Sequence, residues 1–394
     1  MTTALRQTVA MFVDAYRELA AGKLFWITLV LSTIVAAAFA AVGIDEKGMT
    51  ALWFRLDFIP VNSETFPPDL LYKFLFFQLG MNVWLAWIAT ILGLVTTAGI
   101  IPSLVSSGVI DSMVAKPISR TRLFLTRYAT GLLFAALQVG LFTTAAFLVL
   151  GIRGGEWMPA VFLAVPIVVV FYSYLFAIMA LIGLLTRSTI ASLLLTMLIW
   201  FVLFIVNAVD GTLVGLDTQN RIRINTLESR IAEVEANTAR VIITQKRQAG
   251  EDVPDDYQPT PQEIKQTNPF ILAMEGRLDR VREQQAQLKP WVTGVYVVKT
   301  ALPKTGETIA LLERYIISEE EGQALVRAFA GEEEIEPATV DEDTARVRIS
   351  QREAQLAAGE VFRSRSLLWV LGTSLGFEAV MLAIGCIVFA RRDF

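Results

Sequence analysis

The sequence predicts an all-α membrane protein. Six transmembrane helices follow an N-terminal amphipathic helix, and a coiled-coil-like helical hairpin is inserted on the extracytoplasmic side between helices five and six. Three observations lead there. Hydrophobic residues make up 54% of the 394 positions and charged residues only 18%, against roughly a quarter charged in an ordinary soluble domain. The mean hydropathy is +0.53. The apolar residues sit in long runs almost free of charge, while one polar block occupies 210–365.

The same composition closes off several functions. The chain has no histidine and one cysteine, Cys386. A Ser-His-Asp triad, an HExxH zinc site and a haem histidine ligand are therefore excluded. No catalytic constellation and no metal-ligand set emerges, and an internal disulfide is impossible. A net charge of −4 argues against nucleic acid as the main partner.

A bilayer core about 30 Å thick takes about 20 apolar helical residues to cross. Residues 1–23 come first, with Val9, Phe12, Val13, Tyr16 and Ala20 at helical spacing on one face. This pattern predicts a cytoplasmic amphipathic helix lying in the membrane interface. The domain 24–209 then holds five spans: Leu24–Ile44, Phe74–Ile110 (with Met81–Leu104 as its spanning part), Tyr128–Ile152, Trp157–Thr186 and Ser188–Val209. Pro159 and Pro166 are expected to bend the fourth. The sixth, Ser366–Ala390, lies in the closing domain 366–394 and carries one charge, Glu378.

Lysine and arginine in short flanks set the orientation. With the N-terminus inside, ten basic residues lie in the inner flanks and four (Lys47, Arg55, Lys73 and Arg153) in the outer loops. Both termini are then cytoplasmic, and 210–365 stands outside the membrane. Trp26, Trp157, Trp200 and Trp369 fall near span ends, where indole favours the interface.

The loop 105–127 joins spans two and three on the inner side. Gly108 permits a tight turn there, and Pro117 cannot continue a helix. Ser119 is placed to cap a helix starting near Arg120. The loop reads G-x-x-D-x-x-x-x-K-P-I-S-R, from Gly108 through Asp111, Lys116, Pro117 and Ser119 to Arg120, and Arg391-Arg392-Asp393 follows the last span. In this motif, with the amphipathic helix and six spans, the chain resembles the membrane subunit of ABC-2 type ABC transporters. The resemblance covers roughly 1–210 and 290–394. It implies that Gly108, Asp111, Lys116, Pro117, Ser119 and Arg120 face an ATPase subunit, and that two permeases pair, as a homodimer or with a second permease. The segment 291–316, with its proline, resembles the one that the family places before span six. The chain has no GxxxxGK(S/T) phosphate loop, so no cofactor is expected in it. ATP and Mg would belong to the partner.

The block 210–365 holds 20 basic and 27 acidic residues, a net of −7. Ile224, Leu227, Ile231, Val234, Thr238 and Val241 alternate steps of three and four, as do Ile271, Met274, Leu278, Val281, Gln285 and Leu288. Two short heptad seams of this kind predict the hairpin 220–289, with 249–269 as its connecting loop. The acidic stretch 331–343 reads as a solvated loop. The hairpin is a candidate arm for an extracytoplasmic protein partner.

A carboxyl group at the depth of Glu378 is costly unless it is paired or protonated. Asn82, Gln138, Tyr172, Tyr174 and Asn207 are its candidate partners. The expected function is that of an inner-membrane permease subunit of an ABC-2 exporter, with no enzyme activity of its own. The alternative is a membrane scaffold whose hairpin recruits or regulates a partner without transport.

Overall fold

A computed structural model of the chain describes residues 9, 10, 12–14, 16, 17, 20–46, 48–52, 54, 55, 63, 67–105, 119–254, 256–318, 321, 322, 337–341 and 344–391. It is almost entirely helical. Among these residues, six helices are long and apolar enough to cross a membrane: α1 (Lys23–Ala41), α2 (Pro68–Leu104), α3 (Arg120–Arg153), α4 (Pro159–Thr186), α5 (Thr189–Gln248) and α10 (Leu368–Arg391). The chain is thus a multi-pass membrane protein. The described part of the first 23 residues is helical at 9–10, 12–14, 16–17 and 20.

α1, α4 and α10 match the apolar runs to within a few residues, whereas α2 and α3 start earlier than theirs and α5 continues as one helix to Gln248, far past the expected end of the fifth span at Val209. α2 begins at Pro68, so Lys73, expected in a loop, lies inside the helix. Pro159 opens a 3-10 turn (Pro159–Leu163), and Pro166 falls in the first turn of the α-helix that starts at Ala164. Neither proline interrupts the middle of α4, because a proline in a first turn removes no bond the helix would make. After α1 the chain does not stay helical. Val42–Asp45 (β1), Gly48–Ala51 (β2) and Phe54–Arg55 (β3) pair antiparallel. The Val42 carbonyl accepts from Tyr72 Oη at 2.6 Å and from Arg153 at 3.3 Å.

The chain forms two compact units. The first contains the spans, up to Ile205, with 299–332 and 366–394. Its core runs through α1 to α4, with Phe76, Phe124, Phe142, Tyr172 and Phe176 fully buried. Gly131 allows α3 to meet α4, since a Cβ there would lie 2.3 Å from the Phe176 ring. The helix α8 (Thr305–Ile316) adds Ile309 and Leu312 to this core. Trp200 is buried and stacks on Trp87 at 4.9 Å. It therefore packs between helices and is not an interfacial residue, whereas Trp26 and Trp157 are exposed.

The second unit comprises 206–298 and 333–365. It holds the later part of α5, the helix α6 (Pro261–Thr267), most of α7 (Phe270–Ala301), the strand pair β4 (Thr339–Val340) and β5 (Val347–Arg348), and α9 (Gln351–Arg363). Leu227, Ile271, Met274 and Leu278 bury together with Ala345, and Ile224, Ile231 and Val234 pack against them. All of these but Ala345 are positions of the two expected seams. At the far end of the seam Val241 is 48% exposed while Ile242 is 6% exposed, so the register drifts by one residue, as a straight helix of 3.6 residues per turn does against a 3.5 repeat.

The connection 249–269 is not all loop. Thr260 and Glu263 close a capping box on α6, in which each side chain satisfies the other's backbone N–H. Lys246 joins it, donating to Glu263 at 3.0 Å and to Tyr257 Oη at 2.6 Å. Hydrogen bonds from the Thr260 backbone, Lys246 and Tyr257 hold the Glu263 carboxyl at about 2, well below its ordinary value. A depressed carboxylate stabilises above its unfolded pKa, and the contribution fades as pH falls through the folded one. Proteolytic resistance of 249–269 is therefore expected to decline between about pH 4.5 and pH 2. In Glu263→Gln it is expected to be lower at neutral pH and to show no such decline.

Candidate functional site: a polar seam inside the span bundle

Three helices converge on Glu378. It lies in α10, is 9% exposed, and is the only acidic residue in that helix. Tyr128 of α3 donates from Oη to Oε1 at 2.8 Å, and Ser173 of α4 donates from Oγ to Oε2 at 2.6 Å. No lysine or arginine pairs with it among the described residues. Both donors also have a second acceptor. Tyr128 Oη is 2.9 Å from the Ser173 carbonyl, and Ser173 Oγ is 2.8 Å from the Val170 carbonyl. An ionised carboxylate takes both hydroxyl protons. A protonated one donates to Tyr128 Oη, whose own proton turns to the Ser173 carbonyl. The same heavy-atom positions satisfy the hydrogen bonds of the carboxyl in either form.

The seam extends through stacked rings. Tyr128 lies on Phe176 with centroids 5.1 Å apart, and Phe176 lies on Tyr172 at 5.7 Å. Tyr172 Oη is 2.6 Å from Thr97 Oγ1 of α2. Gly93, one turn before Thr97, leaves room for the Tyr172 ring. The residues expected to partner Glu378 are thus mostly engaged elsewhere. Tyr172 pairs with Thr97, Gln138 donates to the Ala89 carbonyl at 3.3 Å, and Asn82 donates to Gln78 at 3.4 Å. Tyr174 does not bond to it either. Tyr128 and Ser173 were missed because a Tyr or Ser in an apolar run looks the same whether it faces lipid or a neighbour.

A second cluster ties the turn after α7 to the start of α10. Lys304 is fully buried. Its Nζ donates to the carbonyls of Thr300 and Leu302 at 3.0 Å each and to Thr373 Oγ1. These bonds use all three protons and cap the end of α7. The ammonium also lies 4.8 Å from the centre of the Trp369 ring, and Trp369 Nε1 donates to Thr300 Oγ1 at 3.0 Å. Trp369 is therefore held by protein contacts. Lys299, buried, and Glu307, partly buried, pair beside it. A third cluster, elsewhere in the same unit, centres on buried Lys73, which meets Glu156 at 2.7 Å and Glu321 at 2.5 Å.

Of the residues expected to face an ATPase, Gly108, Asp111, Lys116 and Pro117 lie outside the described residues, as does Arg392-Asp393. The other two are in place for the local structure expected of them. Ser119 is the N-cap of α3, its Oγ accepting from the Arg122 N–H at 3.5 Å, and α3 starts at Arg120. Arg120 Nη1 donates to the Ala390 carbonyl in the last turn of α10 at 3.4 Å. Among the described residues there is no group of three or more His, Cys, Asp or Glu that could hold a metal ion.

Two outcomes follow from the geometry. Glu378→Gln keeps an acceptor and gains a donor that a hydroxyl oxygen can accept while its own proton turns to its carbonyl, so it is expected to melt within about 1 kcal/mol of the parent in detergent. Glu378→Lys buries an ammonium beside two hydroxyls and is expected to lose about 3 kcal/mol or more. For Lys304, burial, opposed by Glu307 and reinforced by Lys299, lowers the pKa to about 8. Between that value and about 10.4, the usual lysine value, the unfolded chain binds the extra proton. Folded stability is thus expected to rise with pH across this window. The melting temperature of Lys304→Met, measured from pH 7.5 to 10.5, should lack that rise.

No family model matches the sequence, and no curated protein or solved structure is similar to it.

Proposed function

We propose that the chain is the permease subunit of an ABC-2 type exporter. Two copies, or one copy and a paired permease, line the path through the inner membrane. A separate ATPase subunit binds the loop 105–127 and carries the ATP and Mg. Both termini are cytoplasmic. The hairpin 220–289 stands on the extracytoplasmic side, where it offers an arm to a protein partner. The sequence observation behind this reading is the motif from Gly108 to Arg120 in a basic loop of a chain without its own phosphate loop.

The geometry that favours it is the course of α3. The helix starts at the end of the motif, reaches the last turn of α10 through Arg120, and two turns later bonds Glu378 through Tyr128. A displacement of the loop by ATP binding would be carried along α3 to the contacts of α3, α4 and α10. Such packed interfaces switch between discrete arrangements. Glu378 would then meet cargo or a proton in one of the two states.

A scaffold without transport is the second reading, and the separate apolar core around Leu227, Ile271 and Met274 favours it. Deleting 224–288 separates the two. A reconstituted exporter retains substrate-stimulated ATP hydrolysis with its partner; a scaffold has none to retain.

The direct test is co-purification followed by identification of any P-loop ATPase that the tagged chain retains. The tagged chain is expected to bring one down. Lys116→Glu and Arg120→Glu should each weaken recovery about tenfold, the equivalent of about 1.4 kcal/mol, while Arg282→Glu in the second unit should leave it unchanged. Equal recovery with all three variants, or no ATPase with the parent, would falsify the coupling role.

A further inference from the structure

We propose that the second unit binds a phosphate group, held by Arg277 with Arg223, Arg280 and Arg346 around it. The four side chains come from three elements that share one apolar core. Ile224 of α5, Leu278 of α7 and Ala345 in the connection from β4 to β5 all belong to that core. Each has one of the arginines as its immediate neighbour in sequence, namely Arg223, Arg277 and Arg346. Arg280 follows Arg277 by three residues, which puts the two on the same face of α7. Arg223 and Arg277 are partly buried, while Arg280 and Arg346 are exposed.

No carboxylate among the described residues answers this charge. Arg280 Nε donates to the Gly276 carbonyl at 3.0 Å, and the guanidinium groups of Arg223, Arg277 and Arg346 have no ion-pair partner there. The acids nearest in sequence are engaged elsewhere. Glu275 pairs with Lys265 at 2.6 Å, and Glu228 and Asp279 pair with Arg282 at 2.7 and 4.0 Å. Burial, and then the like charges of Arg280, Arg346 and Arg223, push the Arg277 pKa below the ordinary arginine value. Arginine nevertheless stays protonated at neutral pH, so the empty site carries uncompensated positive charge that an anion relieves. The block 210–365 has a net charge of −7, so the cluster runs against the balance of its own surroundings.

The arrangement selects the ligand. Arginines spaced along one helix would form a stripe suited to an extended acidic chain. Here they converge on Arg277 from α5, α7 and the β4–β5 connection, which suits a compact anion with several oxygens. A phosphate monoester carries about −1.5 to −2 at pH 7 and three acceptor oxygens, and a planar guanidinium binds such oxygens bidentately. A single carboxylate brings one charge and two oxygens to four arginines. The site lies within the second unit and asks nothing of an ATPase subunit, so it stands or falls separately from the permease reading.

The test is isothermal titration of the full-length protein in detergent, at an ionic strength held constant with NaCl. The probes are inorganic phosphate and glycerol phosphate, the free and esterified sources of the group, with acetate and hexaglutamate as the carboxylate counterparts. At least one of the two phosphates is expected to bind with saturation and more tightly than acetate. Arg277→Gln and Arg223→Gln, on different helices, should each weaken that binding about tenfold or more. Arg277→Lys keeps the charge, loses the fork and should weaken it as well. Arg240→Gln, at an exposed position further along α5, should leave it unchanged. Arg223→Gln carries the test should Arg277→Gln not fold. The proposal is overturned if neither phosphate binds, if hexaglutamate binds and the phosphates do not, or if phosphate binding survives undiminished in the folded Arg277 or Arg223 variants.

Discussion

Hydrocarbon offers no hydrogen bonds, so each polar group on the six spans has to be satisfied from within the protein. Most do this locally. Thr28, Thr96, Thr130, Thr144 and Thr196 each donate to the carbonyl four residues back, which makes a threonine nearly as easy to bury as a valine. Glu378 has no such local solution, because its carboxyl needs donors and a helix offers its own side chains only carbonyls. It therefore binds α10 to α3 and α4 at one point. The close approach of Phe176 to Gly131 and the stack of Tyr128, Phe176 and Tyr172 fill the space around that point.

The spans were legible because their signal is local: a run of apolar residues of the right length reports the helix whatever its neighbours are. In α5 and α7 only part of the expected seams shows: Leu227, Ile271, Met274 and Leu278 bury together, while Val241 is exposed. The Ser119 cap was visible from a serine following a proline at the edge of a basic helix. Partner choice was not legible. That Glu378 lies on an inward face followed from its cost, but which hydroxyl meets it depends on how three helices rotate about their axes, and an all-apolar surround gives no periodicity from which to read rotation. Lys304 was missed for a different reason. A lone lysine in a polar block reads as solvated, and only the arrangement of Thr300, Leu302, Thr373 and Trp369 around it makes burial possible. The strands β1 to β3 were missed because they are short and β1 continues the apolar run of α1 without a break; the Val42 carbonyl at its start is held by Tyr72 and Arg153.

The helix α2 shows how the same constraint acts on backbone. From Phe76 to Ala89 it is wound as a π-helix, an uncommon form in which each carbonyl bonds five residues on. Such winding disturbs the ordinary bonding where it gives way to the α-helix at Thr90, and inside a membrane no water is at hand to complete it. Side chains do so here. Thr90 Oγ1 donates to the carbonyl of Leu85, five residues back, at 2.7 Å, and Gln138 of α3 donates to that of Ala89. In return the wide turn presents Gly80 to the rings of Phe39 and Phe142, close enough that a Cβ would lie 3.2 Å from each. Gln138 thus has a role unrelated to the carboxyl it was expected to meet. It satisfies the backbone of the irregular helix, one turn before Gly93 and two before Thr97, whose contacts with Tyr172 continue into the stack that ends at Glu378. Unusual backbone and buried carboxyl lie on one connected seam, and each persists only because neighbouring helices complete its hydrogen bonds.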